Sequence, residues 1–107
     1  MLIVNTPYVA GKYVKDLITL GLVAGSIVQS KHIGRDFMAG LKTIVGGEIK
    51  GYSEMLEEAR EIALERMTAS AQKMGADAVV MVTFSTSSVM DGAAEIVAYG
   101  TAVRYVK

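Results

Sequence analysis

From Tyr52 to Met74 the apolar side chains recur at three- and four-residue steps: Tyr52, Met55, Leu56, Ala59, Ile62, Ala63, Met67, Ala71 and Met74. That period places them on one stripe of an α-helix. Glu54, Glu57, Glu58, Glu61, Glu65 and Lys73 fall mostly outside the stripe and are expected to face water or a partner. Gly75 follows the last periodic residue and is placed to end the helix in a left-handed conformation. A helix of this length spans roughly 35 Å, enough to cross a small sheet.

Elsewhere the period falls to two. Leu2 to Thr6 predicts a short strand stopped by Pro7, and Ala10-Gly11-Lys12 a turn. Tyr13 to Gln29 reads as extended and apolar on both faces, with Ile18, Leu20, Leu22, Ala24 and Val28 against Leu17, Thr19, Gly21, Val23 and Ile27. Such a strand needs cover on both sides. Arg35 to Val45 predicts a short helix with Phe37, Met38, Leu41, Ile44 and Val45 on one side, ended by Gly46-Gly47. Glu48 to Gly51 then forms a loop or an early first turn. Ala76-Asp77 opens a strand running to about Ser88, with Ala78, Val80, Val82 and Phe84 on one face and Val79, Met81, Thr83 and Ser85 on the other. Met90-Asp91-Gly92 supplies a turn, because Asp-Gly tolerates positive φ. Glu95 to Val106 returns. Its small face, Ile96, Ala98, Gly100 and Ala102, is where a helix can lie close; Val97, Tyr99, Thr101, Val103 and Tyr105 form the bulky face. The order strand, strand, short helix, long helix, strand, strand predicts an α+β domain over residues 1–107. Its sheet is mainly antiparallel, with helices on one side.

Composition sharpens this picture. Hydrophobic residues make up 51% of the chain and the mean hydropathy is +0.36. For 107 residues that requires either an unusually full core or surface buried between subunits. Val97, Tyr99, Val103 and Tyr105 stand opposite the face a helix would cover, so a homo-oligomer is expected. Leu17 to Val28, the longest nearly uncharged run, is too short for a membrane span. The N-terminus lacks a basic stretch of the signal-peptide kind. Cysteine is absent, which excludes disulfides and thiolate chemistry and fits a cytoplasmic protein. Residues 1–50 carry six basic and three acidic side chains, and residues 51–107 five and eight. Opposite-signed halves suit packing within or between copies. The basic groups are scattered, so no nucleic-acid partner is expected.

The candidate chemistry is sparse. His32 and Asp36 are four residues apart and share a face if that segment is helical. One chain supplies too few soft ligands alone, so His32 reads either as an ordinary loop histidine or, where a ring of subunits brings its copies together, as part of a metal site completed by symmetry. Met55, Met67 and Met74 lie on the helix stripe, where gap-filling is the usual role of methionine. The loop Gly46-Gly47-Glu48-Ile49-Lys50-Gly51 precedes a helix but matches no phosphate-binding pattern. The helix glutamates read as a solvated face. Ser30, Lys31, His32 and Asp36 are the one local cluster with the residue types of a nucleophilic site, and Arg35-Asp36 reads as an ion pair or subunit contact.

From Gly34 onward an ordered set of motifs resembles a known family. It comprises Arg35-Asp36-Phe37, Ala39-Gly40-Leu41, Val45-Gly46-Gly47, Tyr52, Glu58-Ala59-Arg60, Ala63, Gly75-Ala76-Asp77-Ala78-Val79-Val80 and Gly100-Thr101-Ala102-Val103. The chain is similar to the YbjQ-like family, small bacterial and archaeal proteins of unknown function labelled as heavy-metal-binding. Many members carry Arg after the glycine pair, where this chain has Glu48. The resemblance implies a dodecin-like subunit assembled as a homo-oligomer, with a pentameric ring expected, or a decamer if two rings stack. It carries no established activity. The leading expectation is therefore a non-catalytic assembly holding a small ligand or metal between subunits, with His32 and Asp36 as the metal candidates. The alternatives are an enzyme with an interface site around His32, Asp36 and Arg35, and an interaction module using the acidic helix face.

Overall fold

A computed structural model describes residues 1–30, 44–45, 48–90 and 92–107. Four strands form one sheet in the order β1-β5-β6-β2: β1 (Leu2–Ile3), β5 (Ala78–Met90), β6 (Ala93–Tyr105) and β2 (Leu17–Ser30). β6 runs antiparallel to both β2 and β5, whereas β1 runs parallel to β5. The sheet is thus mixed, antiparallel apart from its first strand. A separate two-stranded hairpin joins β3 (Ile44–Val45) to β4 (Glu48–Ile49). The long helix, α1 (Lys50–Lys73), follows it.

This hairpin corrects the expectation for its segment. Ile44 and Val45, read as the end of a short helix, pair instead with Ile49 and Glu48. β-Branched residues on either side of Gly-Gly are a hairpin signal, and here it outweighs the helical spacing. The rest of that expected helix lies outside the described residues.

The helix packs where the pattern places it. Met55, Ala59, Ala63, Met67 and Ala71 are buried on one stripe. Ala94, Ile96, Ala98 and Ala102 of β6 and Val23 of β2 meet them, with Leu20, Ile27, Leu56, Leu64 and Val82 around the margin. Small side chains from both layers bring helix and sheet together. Met67 fills the middle of the contact and is fully buried. Burying a side chain of that size contributes about 1.5–3 kcal/mol. Two stripe positions differ from the expectation. Met74 is 39% exposed, and Ile62 is half-buried on a flank. Gly75 has φ +80°, and the helix closes with Gly75 N–H donating to Gln72 C=O and Ala76 N–H to Ala71 C=O. These two bonds form a Schellman cap, which turns the chain into β5.

Among the described residues three register slips interrupt the sheet, one of them at the end of β5 between Ser88 and Met90, and the other two set which face the core side chains take. In β5 the register slips between Val80 and Thr83, and Met81 sits in the left-handed region with φ 55°. This bulge reverses the alternation. Ala78 and Val80 face away from the helix, while Val79 and Val82 both face it. The regular alternation read from the sequence, with Val80, Val82 and Phe84 on one face, is therefore corrected at Met81. A second slip, between Thr19 and Gly21, does the same to β2. Leu20 and Val23 both reach the helix core.

The face opposite the helix is covered at one end by the chain itself. Val4, Val9 and Leu17 pack on Ala78, Val80, Val103 and Tyr105. Val103 is only 3% exposed as a result. The N-terminal segment also hydrogen-bonds along β5, through Val4 N–H to Val79 C=O, Val82 N–H to Val4 C=O and Met81 N–H to Thr6 C=O. The expectation that this whole face is bare is corrected accordingly. A parallel N-terminal strand was not legible as cover.

Candidate functional site

Beyond that small second core no described residue covers the sheet face opposite the helix. The register places Leu22 beside Thr101, Ala24 beside Tyr99 and Ser26 beside Val97. Thr83 and Ser85 flank Tyr99 and Val97 from the other side. Their side chains point away from the helix. Leu22 is 76% exposed, Val28 56% and Tyr99 38%. The result is a contiguous face mixing aliphatic, aromatic and hydroxyl groups, with Glu95 at its far end.

The helix side of β5 is also incompletely covered. α1 lies over β2 and β6, so Phe84 remains 40% exposed. With Glu57, Arg60, Glu61 and Leu64 it lines a cleft of about 420 Å³. At the opposite end, Ile18, Arg104, Tyr105, Val106 and Lys107 line a second cleft of about 330 Å³. The Lys12 ammonium stands 4.7 Å from the Tyr105 ring centre, a cation–π contact. The Tyr105 N–H donates to Asp77 Oδ2 at 2.8 Å, which ties the end of β6 to the start of β5.

His32, Asp36, Arg35 and Lys31 lie outside the described residues. Among the described residues no three His, Cys, Asp or Glu side chains converge to hold a metal. The donor chemistry agrees: Cys is absent, the single His is His32, and Glu57 and Glu61 share their cleft with the cation Arg60. The described part of one chain does not fit a soft-metal centre. Among the described residues no helix is long and apolar enough to cross a membrane.

The sheet edges that no described strand pairs escaped the reading of the sequence. Their signal was present: Leu17 to Ser30 and Thr83 to Met90 carry no charged residue. Natural edge strands usually carry charges or proline to prevent pairing.

A mixed four-stranded sheet under one long helix, held by a contact between small side chains, defines an α+β domain. The chain belongs to the family YbjQ_1, described as "Putative heavy-metal-binding", whose model matches residues 1–106. It is similar to a UPF0145 protein of Photobacterium profundum, 60% identical over 104 residues covering 97% of this chain and 99% of that one. A UPF0145 protein of Thermotoga maritima is 58% identical over 107 residues, covering 100% and 99%. The fold is also similar to a crystal structure of a protein of unknown function of the DUF74 family from Pediococcus pentosaceus. That match has a TM-score of 0.62 at 14% identity and covers 98% of this chain and 97% of that one.

Proposed function

We propose that this protein works as a ring-forming homo-oligomer that binds a small ligand or a metal ion between its subunits. The observation that carries the reading is the sheet face opposite the helix, where Leu22 is 76%, Val28 56% and Tyr99 38% exposed. A folded monomer would leave this apolar surface in water, and a second copy removes it. The poverty of ligands within one described chain supports a site shared between copies, with His32 and Asp36 as the candidate ligands. The family description as heavy-metal-binding is consistent with that site. A pentamer is the expected ring, and the cytoplasm the expected compartment. Light scattering at low micromolar concentration tests the assembly: about five times the subunit mass of 11.4 kDa is expected, or twice that for stacked rings. A monodisperse monomer would overturn the proposal.

A further inference from the structure

The two sheet edges that no described strand pairs are unlike each other. β1 and the residues after it occupy the outer edge of β5 as far as Val82. From Thr83 to Met90 that edge pairs with no strand among the described residues, and neither does the outer edge of β2 from Leu22 to Val28. The direction of their backbone groups follows from the ladder. Val103 C=O accepts from Asp77 N–H, so the odd-numbered positions of β6 point their backbone groups at β5. Alternation then turns the N–H and C=O of Phe84, Thr86 and Ser88 outward. On β2 the same logic turns Leu22, Ala24, Ser26 and Val28 outward. The Ser26 carbonyl is indeed reached from outside, by Arg66 Nη1 at 2.7 Å.

Resting on the homo-oligomer proposed above, we infer that β2 of one copy pairs with Thr83–Met90 of the next, so that the sheets join edge to edge. Three observations select unlike over like edges. β2 and β5 both run antiparallel to β6, and so point the same way. Rotation about an axis along the strands therefore sets them side by side in parallel, a head-to-tail contact that closes a ring. Next, the helix flank that carries Arg66 over the β2 edge also carries half-buried Ile62, one turn away. Phe84 of the next copy, exposed on the helix side of its own edge, would find apolar cover there. Finally, pairing β2 with another β2 around Ser26 brings two Arg66 guanidiniums together, which like-charge repulsion opposes.

The cysteine-free background makes the test clean. Ala24→Cys is combined in turn with Thr83→Cys, Ser85→Cys and Ser87→Cys, and treated with a short bismaleimide. All four side chains are exposed on the open face, and the series scans the register. At least one double variant is expected to give a ladder of covalent multimers, while each single variant alone stays uncrosslinked. Thr86→Pro removes an outward donor without touching the bonds to β6. It is expected to keep the circular dichroism of the wild type and fall to the mass of one subunit. An oligomer whose single-cysteine variants crosslink to themselves, or which gives no ladder in any pair, overturns this contact and leaves the oligomer standing. So does an intact oligomer of Thr86→Pro. A wild-type monomer overturns both.

Discussion

Gly25 of β2 lies directly beneath the backbone of Met67 in α1. A Cβ built on Gly25 would collide with Met67 N and Ala63 O and come within 2.7 Å of the Arg66 carbonyl carbon. The helix is therefore seated on the bare backbone of the strand, and its alanines pack closely because of it. Gly25→Ala must lift the helix. Overpacking of this kind typically costs about 1–3 kcal/mol, and a backbone neighbour that cannot turn aside puts this site at the upper end. Urea unfolding should show a lower midpoint with an unchanged slope. A midpoint equal to wild type would mean that the helix can shift without loss.

Met67 and Glu61 separate the two sides of the helix. Met67→Asp puts a charge into a fully buried site, which costs several kcal/mol or forces the carboxyl to stay protonated. It should abolish cooperative unfolding at neutral pH. Glu61→Lys, on an exposed position, should stay within about 0.5 kcal/mol. Equal losses in both would place the stripe on the wrong face.

Ile62 behaves differently from the buried stripe, because it sits on the flank. Ile62→Asp is expected to lower the mass of the particle in light scattering while the far-ultraviolet circular dichroism persists. Unfolding of the subunit itself would show that Ile62 serves the core.

Tyr99 and Val103 share a face of β6 but not a fate. Val103 is sealed under Val9 within the chain, whereas Tyr99 is open. Val103→Glu should unfold the subunit. Tyr99→Glu should leave it folded and dissociate the assembly. Size-exclusion chromatography with circular dichroism distinguishes these outcomes, and a folded oligomer carrying Tyr99→Glu would remove this face from the interface.

The metal site proposed at His32 has its own check. Zinc, copper and nickel titrations of wild type and His32→Ala are expected to show binding to the oligomer that the substitution removes. Tight stoichiometric binding that survives His32→Ala would show that other residues supply the ligands.

The sequence by itself determined whatever depends on near neighbours. A spacing of three and four from Met55 to Ala71 defines the buried stripe, because helix geometry alone stacks those positions. Gly75 defines the stop, since its left-handed φ needs no partner from elsewhere. The split of β6 into a small helix-facing side and a bulky side also came through, because β6 carries neither bulge. Only the tertiary structure decided the rest. The left-handed Met81 inverts β5 through a one-residue slip against β6, and nothing local in Val80-Met81-Val82 announces it. Val103 became core because a segment some ninety residues earlier lies over it. Ile62 and Leu64 look equivalent by hydropathy, yet Leu64 borders the core and Ile62 a flank. That difference follows from how α1 crosses the sheet at Gly25. Long-range pairing sets register and cover, and those in turn decide which apolar side chains stay exposed.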